Sequence, residues 1–195
     1  MGLRELKRLI DNAIDDCQQI IRNNPQTVLS EGDFERMISC CISKRIGYTT
    51  GIQDPNAFAV HTQISHYNNE KNERNAQVDI LLVKPVDIIE DRSISKKYII
   101  YKSAKSFAIE LKYRHDKNRG CVTAAKKDIN KIVKYKDDSH YYAIILLDKN
   151  DNTKDHEKEI LTYFKAKKSE LGRKYLNKFF CKVLIKDKVS FSSNQ

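Results

Sequence analysis

The run YYAIILL, Tyr141 to Leu147, places seven apolar or aromatic residues in a row between His140 and Asp148. A strand with one wet face alternates polar and apolar side chains, so an unbroken run marks a strand covered on both faces. Material must then lie on each side of its sheet, and amphipathic helices are the usual cover. The chain supplies them. Leu6, Leu9, Ile10, Ala13, Ile14, Cys17, Ile20 and Ile21 form one helical stripe over residues 3–23, closed by Pro25. Ser30 opens a second helix with Asp33 three residues on, and Gly47 ends it. Phe34, Met37, Ile38, Cys41 and Ile42 make its buried face.

Four more segments read as strands: NAFAVHTQISHY (56–67), AQVDILLV stopped by Pro85, SFAIELKY (106–113) and KFFCKVLIK (178–186). Helical periodicity fills 120–138 and 151–172. The expected order is α-α-β-β-β-α-β-α-β. That is one α/β domain over residues 1–195, a mixed β-sheet flanked by helices, with an extra N-terminal helix and a C-terminal helix and strand at 153–188. Residues 86–105 stand out as a charged insertion with no assigned structure.

Composition removes several classes. No stretch approaches the about 18 apolar residues of a membrane span, and MGLRELKRLIDNAIDDCQQII reads as a charged amphipathic helix rather than a signal peptide. MGLREL also lacks the Ser or Thr that a myristoylation signal carries at position six. The five cysteines, Cys17, Cys40, Cys41, Cys121 and Cys181, are odd in number and form no CxxC pair, which argues against a disulfide framework or a zinc knuckle. A cytoplasmic protein with reduced thiols and no membrane partner is expected. Net charge is +10; residues 1–60 hold seven Lys/Arg against eight Asp/Glu, and residues 61–195 hold twenty-nine against eighteen. The basic excess in the later two thirds suits nucleic acid, although a solvated lysine-rich surface explains it equally.

Two strands break the apolar rule. In SFAIELKY, strand periodicity sets Ala108, Glu110 and Lys112 on one side and Phe107, Ile109 and Leu111 on the other. In AQVDILLV, Asp79 sits inside the strand, where Asp is disfavoured. An unpaired charge at such positions costs on the order of several kcal/mol. A solvent-facing ion pair or a metal site would offset it. A [D/E]-x-K tripeptide means little alone, since chance gives several in a chain of this composition. Two are present, Glu5–Leu6–Lys7 on the first helix and Glu110–Leu111–Lys112 on a central strand. A neighbouring strand could bring Asp79 beside Glu110, and two such carboxylates repel unless a cation or a proton separates them. Carboxylate and carbonyl oxygens suit Mg²⁺ or Mn²⁺.

Glu31 or Glu35 on an early helix, Asp79 on the second strand and Glu110-x-Lys112 on the third together resemble the PD-(D/E)xK, or restriction-endonuclease-like, nuclease superfamily. Its α-β-β-β-α-β core corresponds to about residues 30–148; the proline that usually precedes the aspartate is Val78 here. The resemblance implies a DNA endonuclease that hydrolyses phosphodiesters with Mg²⁺ or Mn²⁺. Asp79, Glu110, the Leu111 carbonyl and Glu31 would hold metal, Glu31 alternatively water, and Lys112 would orient or activate the attacking water and steady phosphate charge. Glu35 is the second choice to Glu31, whose plainer explanation is a carboxylate at a helix N-terminus. The same resemblance makes Asp128, Lys131 and Tyr135 supporting positions beside the cleft.

Arg114, Lys117 and Arg119 follow the motif strand and are expected to meet phosphates, with Lys127 and Lys131 on the next helix. His61 and Gln63 share a face of the first strand and could reach the cleft, or hydrogen-bond elsewhere. The closing basic and aromatic segment, FKAKKSELGRKYLNKFFCKVLIK, fits core spacing better than stacking on bases. Monomer and homodimer both fit. The competing expectations are a catalytically inert nucleic-acid-binding or assembly module on the same fold, and a protein-interaction domain with an acidic partner.

Overall fold

Five strands form one mixed sheet in the order β1-β2-β5-β6-β7. The computed structural model describes residues 1–47, 57–68, 73–91, 97–100, 105–115, 117–134 and 139–187; the side chains of 63–68, 73–77, 89–91 and 97–100 lie outside that description. The strands are β1 (Ala59–Asn68), β2 (Glu73–Val83), β3 (Ile88–Asp91), β4 (Lys97–Ile100), β5 (Phe107–Tyr113), β6 (His140–Asp148) and β7 (Phe179–Lys186). The helices are α1 (Leu3–Asn23), α2 (Glu31–Ile46), α3 (Asn118–Ile132) and α4 (Thr153–Ser169). β1 with β2 and β2 with β5 are antiparallel, whereas β5 with β6 and β6 with β7 are parallel. Helices α3 and α4 supply the crossovers that parallel pairs require.

The unbroken apolar run does what its pattern predicts. β6 lies inside the sheet and is buried from Tyr141 to Asp148. Ile144 and Leu146 pack with Ile80, Ile109 and Leu111 beneath the stripes of α1 and α2. Ala143, Ile145 and Leu147 pack on the other side with Leu81, Ala108 and the apolar faces of α3 and α4.

Local chemistry fixes the ends. Ser30 Oγ accepts the Asp33 N–H at 3.1 Å while Asp33 Oδ2 accepts the Ser30 N–H at 3.0 Å, a reciprocal cap that sets where α2 begins and so where Glu31 stands. Gly47, at φ 80°, ends the helix in the left-handed region. α3 starts at Asn118, earlier than periodicity suggests, because the buried Asn118 amide joins the β6 backbone: Nδ2 donates to the Asp148 carbonyl at 2.6 Å and Oδ1 accepts the Asp148 N–H at 3.0 Å. The expected continuation of this helix through 135–138 lies outside the described residues. The charged insertion 86–105 contains the small antiparallel ladder β3–β4. No described helix is long and apolar enough to cross a membrane. Cys17, Cys41 and Cys121 are buried free thiols, and Cys40 is exposed.

A buried polar network ties together the C-terminal ends of β5, β6 and β7. Lys186, only 2 % exposed, donates to the Val28 carbonyl and to the Tyr113 hydroxyl, both at 2.7 Å. Its ammonium lies 3.7 Å from Asp148 Oδ1, and the Tyr113 hydroxyl donates to the same oxygen at 3.1 Å. Removing one partner of a buried pair strands the other charge. Lys186→Ala is therefore expected to lower unfolding free energy by about 3–5 kcal/mol, read from urea denaturation, with Lys186→Arg losing less.

Candidate functional site

The antiparallel register pairs Ile80 with Ile109 and Leu81 with Ala108. One step further it sets Asp79 across from Glu110, on the face that Leu81 and Ala108 turn toward α3. The ladder stops there. Asp79 Oδ2 accepts the Leu111 N–H at 2.6 Å, a side chain taking the bond that a strand carbonyl would otherwise take. Beyond that point β5 continues to Lys112 and Tyr113 without β2 beside it.

Other elements fill the gap. Glu110 is 5 % exposed, and Lys131 from α3 donates to its Oε1 at 2.6 Å. Glu31, the first residue of α2, arrives from the opposite layer. Its Oε1 accepts from Lys112 Nζ and its Oε2 accepts the Tyr113 N–H, each at 3.1 Å. Asp128, one turn before Lys131, places Oδ2 3.5 Å from Lys112 Nζ. Four carboxylates and two ammonium groups thus meet at the C-terminal end of β5, a formal charge of −4 + 2 = −2 with every group ionised.

Burial governs the titration of these groups. Loss of solvent pushes Glu110 up to about 7, and the nearby Asp79 and Asp128 charges act in the same direction against Lys131. Burial also raises Asp79 and Asp128; the Leu111 N–H opposes it at Asp79, and Lys112 opposes it at Asp128. Lys112 behaves oppositely. Burial pulls its ammonium down, but Asp128, Glu31 and Asp79 outweigh that and hold it above the ordinary lysine value. The site therefore contains a fixed cation and carboxylates short of compensating charge.

That shortage, with oxygen-only donors, is the chemistry that suits a hard divalent cation. The buried Asp128 Oδ2 faces Lys112 at 3.5 Å and has no closer hydrogen bond, so it is weakly compensated. As the side chains stand, no three Asp, Glu, His or Cys groups among the described residues are gathered closely enough to hold an ion. Lys131 is the cation that meets Glu110. Asp79 and Glu110, with the Leu111 carbonyl between them in sequence and Glu31 beside Lys112, are the residues whose donors fit.

The remaining candidates scatter. Thr62 pairs with Ile80 and Ile64 with Val78, so the backbone of Gln63 stands across from Asp79, with its side chain outside the described residues. His61 pairs with Leu81; its Nε2 is buried without a hydrogen bond, and burial lowers its pKa. Glu35 lines a 720 Å³ cavity between α2 and β1, with Gly32, Cys40, Lys44, Val60 and Thr62, apart from the cluster. Arg114 and Lys117 are exposed in the loop after β5, and Lys127 is exposed on α3. Arg119 is drawn to Glu159 on α4 at 2.8 Å, away from the cluster. Lys131 meets a carboxylate rather than open solvent. Tyr135 lies outside the described residues. Asp128, read from sequence only as a supporting position, belongs to the cluster itself. The Tyr113–Asp148–Lys186 network was not anticipated, because a lysine closing a strand looks solvated in sequence.

No family model matches the chain, and neither the curated proteins nor the solved structures contain a match.

Glu110 makes stability depend on pH. Its folded value of about 7 lies above the ordinary 4.5. Between those values the folded chain keeps a proton that the unfolded chain gives up, so this group's contribution falls as pH rises through that window. Glu110→Gln keeps an acceptor for Lys131 and removes the titration. It is expected to match the wild type near pH 4 and to exceed it above pH 7 by at most about 3 kcal/mol, measured by urea denaturation across that range.

Proposed function

We propose that this protein is a divalent-metal-dependent nuclease that hydrolyses phosphodiester bonds, with DNA as its substrate and a restriction-endonuclease-like core. The observation that carries the reading is the register of β2 and β5. It sets Asp79 opposite Glu110 at a broken ladder, with Lys112 one position further along the same face. Two further features support it. Glu31 reaches Lys112 from the start of α2, and a mixed sheet with an antiparallel β1–β2–β5 part and a parallel β5–β6 part follows the α-β-β-β-α-β order.

Asp79, Glu110, the Leu111 carbonyl and Glu31 would hold the metal. When bound, Mg²⁺ or Mn²⁺ supplies an acidified water and charge neutralisation at phosphate oxygens. The protein's own groups divide the rest of the work. Lys112 is held as an ammonium by Asp128 and Glu31, so it is not a proton acceptor. Its part is to stabilise negative charge building on the phosphoryl group. Glu110, pushed up to about 7 by burial and held by Lys131, would give up that proton or that bond to a metal, whose second charge would offset the excess of carboxylates around it. Arg114 and Lys117, exposed where β5 ends, approach flanking phosphates.

The Lys131–Glu110 bond favours a second reading, in which a lysine permanently takes the cation's place and the chain binds nucleic acid without cutting it. Metal binding separates the two. For the nuclease, 1 mM Mn²⁺ is expected to raise the melting temperature of the wild type but not of Asp79→Asn or Glu110→Gln. Glu110→Ala and Lys112→Ala should each lower Mn²⁺-dependent nicking of supercoiled DNA by at least about a hundredfold while leaving most DNA affinity. Wild-type nicking by a clean preparation of either variant rejects the assigned roles. No metal-dependent melting shift and no nicking by the wild type selects the inert module.

A further inference from the structure

The end of the sheet opposite the acidic cluster carries charge of the other sign. From Lys165 to Lys182 the chain holds seven lysines and arginines and one acid, Glu170. This is the segment in which basic and aromatic residues alternate, a pattern that in a single-strand binder presents rings to bases. The fold uses the rings otherwise. Phe164, on α4, and Phe179 are buried in the core, and the half-buried Phe180 and Tyr175 lie beneath lysines.

Lys7 from α1 places Nζ 4.6 Å from the centre of the Phe180 ring, and Lys168 from the end of α4 places Nζ 5.6 Å from it. Lys174 and Lys178, in the turns before β7, both lie 5.5 Å from the Tyr175 ring centre. Two pairs of ammonium groups are each gathered on a single ring. Some of this charge is answered locally: Lys7 pairs with Asp11 at 2.6 Å, and Lys168 donates to the Phe179 carbonyl at 2.9 Å. At the margins, Lys167 pairs with Glu170 and Lys182 with Asp15.

The gathered charge is felt at its centre. His140 stacks on Phe180, with ring centres 6.1 Å apart and planes 8° apart, and its buried Nδ1 has no hydrogen bond. Burial lowers its pKa, and Lys178 and Lys7 both lower it further. Burial lowers Lys168 as well, with Lys7 adding to it. Folding has therefore brought like charges together at an electrostatic cost that a polyanion would relieve.

We propose that Lys7, Lys168, Lys174 and Lys178 form a second nucleic-acid-binding surface, which grips the phosphodiester backbone and does not read bases. The rings that could stack on bases are already covered by lysines. A lysine ammonium is a point charge with rotatable donors, suited to a flexible run of phosphates, whereas the planar fork of arginine is the better match to carboxylates. Phe107, beside this rim, and Lys112 lie five residues apart on β5, about 17 Å along the strand. Rim and cluster are thus separate contact points on any strand longer than a few nucleotides. The inference rests on nucleic acid being the partner named above, but not on cleavage.

The test is fluorescence anisotropy of the full chain with labelled 20-nucleotide single-stranded and duplex DNA, in EDTA, from about 50 to 300 mM KCl. The variants are Lys7→Gln/Lys168→Gln and Lys174→Gln/Lys178→Gln, with melting curves to show that each is folded. Each pair should lower affinity about tenfold at 100 mM salt and reduce the slope of log affinity on log salt by about 1.4–1.8. Lys174→Arg/Lys178→Arg should restore the slope, and dA and dT tracts should bind alike. Unchanged affinity and slope in both folded glutamine pairs overturns the proposal. So does a poly-glutamate peptide binding the wild type as tightly as DNA at equal salt, which would assign the rim to an acidic protein. Loss of DNA binding in the glutamine pairs, with no metal-dependent nicking by the wild type, leaves the rim standing and removes the nuclease reading alone.

Discussion

The Asp79 carboxylate accepting the Leu111 N–H decides the architecture of the site. A hydrogen bond to a charged acceptor contributes about 1.5–3 kcal/mol, enough to compete with a further rung of the β2–β5 ladder. Taking it ends the pairing after three rungs and parts the strands. The parting leaves room at the end of β5 for Glu31 from one helical layer and for Asp128 and Lys131 from the other. A regular ladder at this point would have kept those layers on opposite sides of a closed sheet. The acid that looks like a local defect in a strand is what lets two helices meet across the sheet's end.

Once the groups meet, their charges are not shared evenly. Lys112 has two carboxylates near it, and Glu110 is contacted by a single ammonium while Asp79 and Asp128 repel its charge. Lys112 is consequently locked in its charged form, and Glu110 is left near the point where it gains or loses a proton at neutral pH. Two groups two residues apart on one strand acquire opposite chemical characters. The cause is which helix faces each of them, as expected where environment rather than residue type sets the titration.

The parts of this arrangement differ in how far sequence exposes them. The β6 run, the α1 stripe and the Ser30–Asp33 cap are local patterns, and each has its expected structure, except that Ile20 turns from the stripe to solvent. Asp79 and Glu110 were legible because a charge inside a strand contradicts its surroundings and demands compensation. Asp128 and Lys131 break no local rule. Polar residues on an amphipathic helix look solvated unless the helix's rotation against the sheet is known, and tertiary packing sets that rotation. Lys186 is hidden for the same reason, since only the convergence of three strand ends buries it. The charged insertion hid a ladder because β3 and β4 are four residues each, too short for a firm periodic signal. Along the closing segment, sequence left the rings open to either role, and lysines laid across them decided it.

The two ends of the sheet are electrically opposed, and this bears on how the proposed chemistry would be controlled. A chain of net charge +10 draws a polyanion toward it. The basic rim adds to that pull, whereas a cluster of formal charge −2 resists the approach of a phosphate to Lys112. Binding at the rim needs no metal, but bringing a phosphodiester to the cluster requires positive charge beyond Lys112 and Lys131. On the proposed reading, a divalent ion therefore does more than activate water. Held between the carboxylates it would cancel the formal −2, so that a strand already held by its backbone would meet no net repulsion in the gap that Asp79 opens.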